Sequence, residues 1–354
     1  MLLRIIHRTT YRYQGSIDMA QHMVHLSPLD TPGQQLLKHA LRITPEPASR
    51  SQTTDVFGNL RTFFSLQAPH ETLTVEADSE VQTRAPAELP HSAGWQKLTW
   101  ERVREHFRYR VQAPFDPASE FLFASPYVPR DDAFAAFARP AFKPGLPMLA
   151  AARALMERIH TELKYETDST EVNTPALQAL EQGKGVCQDF AHIMLGCLRS
   201  LGLPARYVSG YLLTQPPPGK PRLIGADASH ALVSVYVPFP PEGQNRVQRS
   251  EDPGGDPKTD IGNSLAPKPA TAAGAWFDFD PTNNRCGWGS PGEDYVTLAT
   301  GRDFADVSPM RGVIQGGAQH TLEVGVTVAP PDELAALQAA KTPAAAEPAK
   351  APAA

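Results

Sequence analysis

The stretch that most restricts the fold is Gly183–Leu212, GKGVCQDFAHIMLGCLRSLGLPARYVSGYL. After its opening glycines, Val186, Phe190, Ile193, Met194, Cys197, Leu198 and Leu201 recur at intervals of three and four. That spacing is one apolar stripe of a helix. Gly202, Leu203 and Pro204 stop the helix, because proline cannot continue it. ARYVSGYLL follows and reads as a strand. A helix with an apolar stripe, joined this closely to a strand, has to bury the stripe against another layer.

The flanking segments show the same segmentation. Residues 1–85 read as an N-terminal β-rich domain: LLRIIHRTTYRY is β-branched and aromatic, DVFGN carries a turn, and Leu73, Val75 and Ala77 alternate in ETLTVEADSEVQ. Residues 86–145 read as a connecting segment, with short helices at WERVREHF and DDAFAAFA. From residue 146 a core begins. Leu149, Ala152, Leu155, Met156, Ile159 and Leu163 have helical spacing. TPALQALEQG reads as a short helix with Thr174 as cap, Pro175 first and Gly183 just past its end. SHALVSVYV, AWFDF and HTLEVGVTVAP read as strands, the last one closing a core over 146–330. Residues 238–274 are rich in proline, glycine and charge and read as a mobile insertion. Residues 331–354 read as a low-complexity tail.

A net charge of -5 argues against a partner bound by a strongly basic face, so no nucleic acid is expected. No apolar run is long enough to span a bilayer, and the N-terminus lacks a signal-peptide pattern, so no membrane association and a cytoplasmic location are expected. Three cysteines make no disulfide framework.

Cys187 falls in the first turn of the long helix. Unpaired N–H groups and the helix dipole favour an anion there, which raises the thiolate fraction of a cysteine. A thiolate nucleophile needs a base, and the base an orienting group. His230 begins one strand, and Asp278 and Asp280 stand on one face of another, near its end. Residue type alone keeps a core role for Cys187 open. Cys197 lies on the apolar stripe and is read as core, and Cys286 as a free, exposed or half-buried thiol. Cys187 and Cys197, ten residues apart on a helix, are separated by about 15 Å and cannot bond. His22 and His25 lack a third ligand and are expected on a polar surface, and EDPGGDPKTDIGN is read as solvated loop. No metal site is expected.

Three blocks, GVCQDFAHIMLGCLRSLGLPARYVSGYL, ASHALVSVYV and WFDFDPTNN, together resemble the core of the bacterial transglutaminase-like family. DVFGN and LTVEADSEV are similar to the N-terminal domain that accompanies it. The resemblance implies an α+β protein: the β-rich domain followed by a papain-like core, its cysteine helix packed on an antiparallel sheet. It implies Cys187 as nucleophile, His230 as base and acid, and Asp280 rather than Asp278 as the group orienting the imidazole. Gln188 and Asp189 would support the site, Gln188 near the oxyanion; His192 is read as structural. Acyl transfer from, or hydrolysis of, a peptide or protein amide through a thioester is then expected, with no cofactor. A binding or assembly module on the same fold is the alternative. This sequence departs from the family at Leu232, where an aromatic residue is usual, and at Ser234, where an acid is usual. The 238–274 insertion lies between the strands of His230 and Asp280, where it would cover the cleft or hang in solvent.

Overall fold

The computed structural model describes residues 1–85, 94, 97–111, 115–167, 169–215, 225, 229–238, 274–316 and 319–341. The N-terminal residues form six strands, all but the wholly polar and exposed β4 with a buried face: β1 (Leu2–Ile17), β2 (Met19–Val24), β3 (Gln34–Thr44), β4 (Ser49–Thr54), β5 (Leu60–Leu66) and β6 (His70–Thr83). They form two sheets, and each sheet gains a strand from the far end of the chain. β14 (Met310–Gln315) pairs with β2, and β15 (His320–Ala329) pairs with β1 from Arg4 opposite Ala329 to Tyr13 opposite His320. Tyr13, Ile17, Val24, Phe64, Leu73 and Val75 form the core of this domain.

The boundaries expected from sequence therefore change. The N-terminal domain is not residues 1–85 alone, and the strand HTLEVGVTVAP belongs to it rather than to a core over 146–330. Alternation predicts a strand and its buried face but not its partner. The expected tail over 331–354 begins as helix α7 (Pro331–Lys341), which buries Leu334. His22 and His25 are buried, not surface residues. His22 is in β2 and stacks on Phe64 at 5.2 Å, while His25 Nδ1 lies 3.1 Å from the Ser308 carbonyl. His25 lies just past the end of β2 and faces Ser308 and Asp55, while His22 faces Phe64 and Tyr11, so the two rings have separate surroundings.

The second unit is mixed. It contains α1 (Trp100–His106), a 3₁₀ turn over Pro117–Leu122, α2 (Asp132–Ala138), α3 (Met148–Glu162), β7 (Lys164–Tyr165), α4 (Ala176–Gln182), β8 (Lys184–Gly185) and α5 (Cys187–Ser200). Then come β9 (Ala205–Leu212), β10 (Ser229–Pro238), β11 (Gly274–Asp280), β12 (Arg285–Trp288), β13 (Tyr295–Gly301) and α6 (Phe304–Val307). The last five strands form an antiparallel sheet in the order β12-β11-β10-β9-β13. α5 is buried from Asp189 to Arg199, all round rather than along one stripe. Val233, Val235 and Val237 share its core, as do Val103, Phe134 and Phe142 of the expected connecting segment. That segment is part of the core, not a linker.

β10 and β11 remain paired to Pro238 and Gly274, the two ends of the insertion. Residues 239–273, with EDPGGDPKTDIGN, lie outside the described residues. The anchors are eight residues from His230 along β10, about 26 Å at strand rise, at the end of the sheet away from Asp280. Among the described residues no helix is long and apolar enough to cross a membrane.

The two units share a core of Leu3, Ile5, Val326 and Val328 with Tyr211, Val296 and Leu298. They are also joined by two side-chain amides. Gln34 accepts from the Thr297 N–H at 2.6 Å and donates to its carbonyl at 2.7 Å. Asn59 does the same at Thr300, at 2.8 and 2.7 Å. β13 is an edge strand, and these amides satisfy groups an unpaired edge would leave free.

Candidate active site

The cysteine block folds as its punctuation demands. Gly183 closes α4 at φ 65°, a left-handed position that favours glycine. Gly185 is required by space: a Cβ there would come within 2.7 Å of the Asp189 side chain. That crowding has a use, because Asp189 Oδ2 accepts from the Val186 N–H at 2.8 Å and from Thr170 Oγ1 at 2.6 Å. The carboxylate thus satisfies the N–H just ahead of Cys187 and complements the dipole. Burial pushes the Asp189 carboxyl pKa up, against these two donors.

Cys187, half-buried, is the first residue of α5. Gln188 donates its side-chain amide to the Val172 carbonyl at 2.8 Å and ties that residue to the first turn. The half-exposed Tyr165 pairs with Gly185 across the short β7–β8 ladder and sets its ring edge against Phe190. His192 is fully buried; its Nε2 accepts from the Phe304 N–H at 3.2 Å and its ring stacks on Tyr127. Burial, then Arg199, lowers its pKa to about 3, so the ring is neutral. It braces α5 against α6, as a structural histidine should.

His230 is the second residue of β10, and Asp280 the last of β11. The strands are antiparallel, with Val233 opposite Phe279, so one step further Asp280 faces Leu232 and lies diagonal to His230. His230 Nε2 is 2.8 Å from Asp280 Oδ2. With Nε2 engaged, Nδ1 is the nitrogen left for the sulfur. Burial opposes a charge on His230, but Asp280 and then Cys187 outweigh it and push its pKa up to about 10. The imidazole is therefore held protonated at neutral pH, between a carboxylate and a thiol.

Asp280 is fully buried and accepts five hydrogen bonds. Oδ1 takes the N–H groups of Thr282 and Asn283 at 2.9 and 3.1 Å. Oδ2 takes His230, the Asn283 amide at 2.7 Å and the Tyr295 hydroxyl at 2.6 Å. Burial raises its pKa, yet His230, Tyr295 and Asn283 together hold it below the usual range. Asp278, the competitor on the same face, has other partners: it accepts from Ser234 Oγ directly across the ladder, and Arg206 is its nearby cation. The departures Leu232 and Ser234 are thereby placed. Leu232 packs with Tyr295 and Val208, and Ser234 serves Asp278.

The structure brings His230 and Asp280 into contact and sets Cys187 against the imidazole; Gln188 and Asp189 fasten the helix start. Cys197 is core, its thiol pushed far up by burial, and Cys286 is half-buried in β12. All three cysteines are free. No cluster of three or more metal-ligating side chains occurs among the described residues. Sequence reasoning missed Asn283 and Tyr295. Asn283 was legible in DPTN, since an aspartate before a tight turn accepts from the turn's own N–H groups. Tyr295 stands on β13, a strand not read from sequence.

Residues 3–82 match the bacterial transglutaminase-like N-terminal region, and residues 135–254 match the transglutaminase-like superfamily. The chain is 34% identical over 328 residues, 92% of each chain, to the uncharacterized protein Mb2599c of Mycobacterium bovis. It is 29% identical over 333 residues to ML0607 of Mycobacterium leprae, covering 92% of this chain and 98% of that one. In fold it is similar to the crystal structure of a proposed cysteine protease from Cytophaga hutchinsonii, with a TM-score of 0.62 and 20% identity over 93% of this chain and 90% of that one. With this β-rich N-terminal domain, this core and relatives matched over nearly their whole length, the chain belongs to the bacterial transglutaminase-like family.

Proposed function

We propose that the protein is a cysteine-dependent acyl-transfer enzyme acting on peptide or protein amides, with Cys187, His230 and Asp280 as its triad. The observation that carries this reading is the His230 imidazole 2.8 Å from the fully buried Asp280 carboxylate, with Cys187 in hydrogen-bonding reach of the same ring. An imidazolium beside a thiol at a helix N-terminus favours the thiolate.

The thiolate attacks the amide carbonyl, forming the carbon–sulfur bond and a tetrahedral oxyanion. With the Gln188 amide bound to Val172, stabilisation of that oxyanion falls to backbone N–H groups of the first turn of α5. His230 gives its proton to the leaving nitrogen as the carbon–nitrogen bond breaks, and a thioester remains. Neutral His230 then removes a proton from the acceptor, water or an amine, which displaces the thiolate. Asp280 keeps Nε2 engaged and balances the imidazolium charge.

The test is alkylation of Cys187 by iodoacetamide between pH 4 and 9, located by mass spectrometry. Fast labelling at pH 6 that drops at least about tenfold in His230→Ala supports the reading. Labelling that follows an ordinary thiol near pH 8.5 overturns it in favour of a non-catalytic module.

A further inference from the structure

One row of the catalytic sheet runs from His230 to the N-terminal domain. His230 of β10 faces Gly210 of β9, and Gly210 faces Thr297 of β13. Gly210 is dictated by this row, since a Cβ there would meet the Val296 carbonyl oxygen at 2.2 Å. Beyond Thr297 the row is continued by a side chain: the buried Gln34 amide pairs with both the N–H and the carbonyl of Thr297. A third bond, to the Leu29 carbonyl at 2.6 Å, fixes the amide itself.

Two residues before Thr297 stands Tyr295. Its hydroxyl donates to Asp280 Oδ2 at 2.6 Å, and its ring centroid is 5.9 Å from that of His230. Leu232 packs in the same cluster, and the Arg285 guanidinium lies over the ring at 4.9 Å. Burial and then Asp280 push the phenol pKa far up, so it remains a donor at any working pH. It therefore competes with His230 and Asn283 for one carboxylate oxygen.

We propose that Tyr295 is a positioning residue for the Asp280–His230 pair, and that the N-terminal domain sets its place through Gln34. The inference deepens the acyl-transfer reading and rests on it. Four other donors hold Asp280 without Tyr295, so the phenol is not needed to keep the carboxylate in place. What it does is divide the charge on Oδ2. A carboxylate stripped of one donor binds the imidazolium more tightly, and an over-held imidazolium delivers its proton to the leaving nitrogen less readily. Gln34, in β3, acts one step back by fixing the strand from which the hydroxyl is presented.

The experiment is an NMR titration of His230 in the full chain, for wild type, Tyr295→Phe, Gln34→Ala and the double variant, with iodoacetamide labelling of Cys187 run alongside. The expected result is a rise of at least about half a pKa unit in Tyr295→Phe. A smaller shift of the same sign is expected in Gln34→Ala, with no further shift in the double variant, the non-additivity of two residues acting through one contact. Gln34→Met, which keeps the length of the side chain and removes the amide, should shift His230 as Gln34→Ala does and substitutes for that variant if it does not fold. Unshifted His230 titration in folded Tyr295→Phe overturns the proposal, leaving Tyr295 a packing residue. Slow labelling of wild-type Cys187 overturns the acyl-transfer reading instead, and the titration still decides the role of Tyr295.

Discussion

Two aspartates two residues apart on β11 are given different work by what faces them. Asp280 meets His230, and Asp278 meets Ser234. Asp280→Asn should lower kcat by a factor on the order of 10²–10⁴ with little change in KM, because it removes the charge opposite the imidazolium. Asp278→Asn should cost about 1–3 kcal/mol of stability in a urea titration, since it weakens a buried polar contact beside Arg206, while leaving kcat within about tenfold. A larger kcat loss in Asp278→Asn than in Asp280→Asn would exchange their roles. Histidine titration adds a pH signature. His230 has a raised folded pKa, so its contribution is complete below the unfolded value near 6.5 and is lost as pH rises toward about 10. His7, His22 and His192 are depressed by burial to about 4, 4 and 3. They bind protons on unfolding, so their contribution is present above pH 6.5 and falls as pH drops toward those values. The urea midpoint should therefore peak near pH 6.5, and in His230→Ala its alkaline slope should flatten while the acid slope persists. An unchanged alkaline slope would remove His230 from the account.

At the scale of elements, the start of α5 shows how a few glycines make a site. Gly185 leaves room for Asp189 to reach back to the Val186 N–H. Gly185→Ala should cost about 1–3 kcal/mol, the price of overpacking, and should also slow Cys187 alkylation, because Asp189 must leave the helix start. Gly183→Ala faces open space but needs φ 65°, so it should cost about 1–2 kcal/mol from backbone strain without altering thiol reactivity. Comparing urea midpoints with labelling rates separates the two effects, and equal slowing in both would sink the distinction. This element was the legible one. Helical spacing and glycine punctuation placed Cys187 at the first turn; strand ends offered His230 with either Asp278 or Asp280, and only the family resemblance chose Asp280. β12, β13 and β14 were not legible, because RCGW, YVTLATG and MRGVIQ are short and carry little alternation. Tyr295, riding on β13, went unseen with its strand. The stripe on α5 was read correctly as core-facing, but a stripe cannot say that α2, α3 and α4 also cover the helix.

At the scale of the molecule, pairing between distant residues decides the architecture. β15 completes the sheet of β1, and its Val326 and Val328 enter the core shared with Tyr211, Val296 and Leu298. Nothing local in either strand announces this, since a period-2 pattern fixes the buried face and leaves the partner open. The consequence is mechanical coupling. The N-terminal sheets and the catalytic sheet share an apolar core and the amide clamps of Gln34 and Asn59, so they should unfold as one unit. All four tryptophans lie outside residues 1–85, so their fluorescence follows the catalytic unit, while far-UV circular dichroism follows both. In urea the two signals should give coincident transitions with one midpoint. A chain ending after Val307 keeps all five strands of the catalytic sheet but loses Val326 and Val328, and should unfold at markedly lower urea or be recovered insoluble. Two separate transitions in the full chain, or a truncated chain of wild-type stability, would mean that the N-terminal domain is a passenger rather than a support for the strand that carries Tyr295.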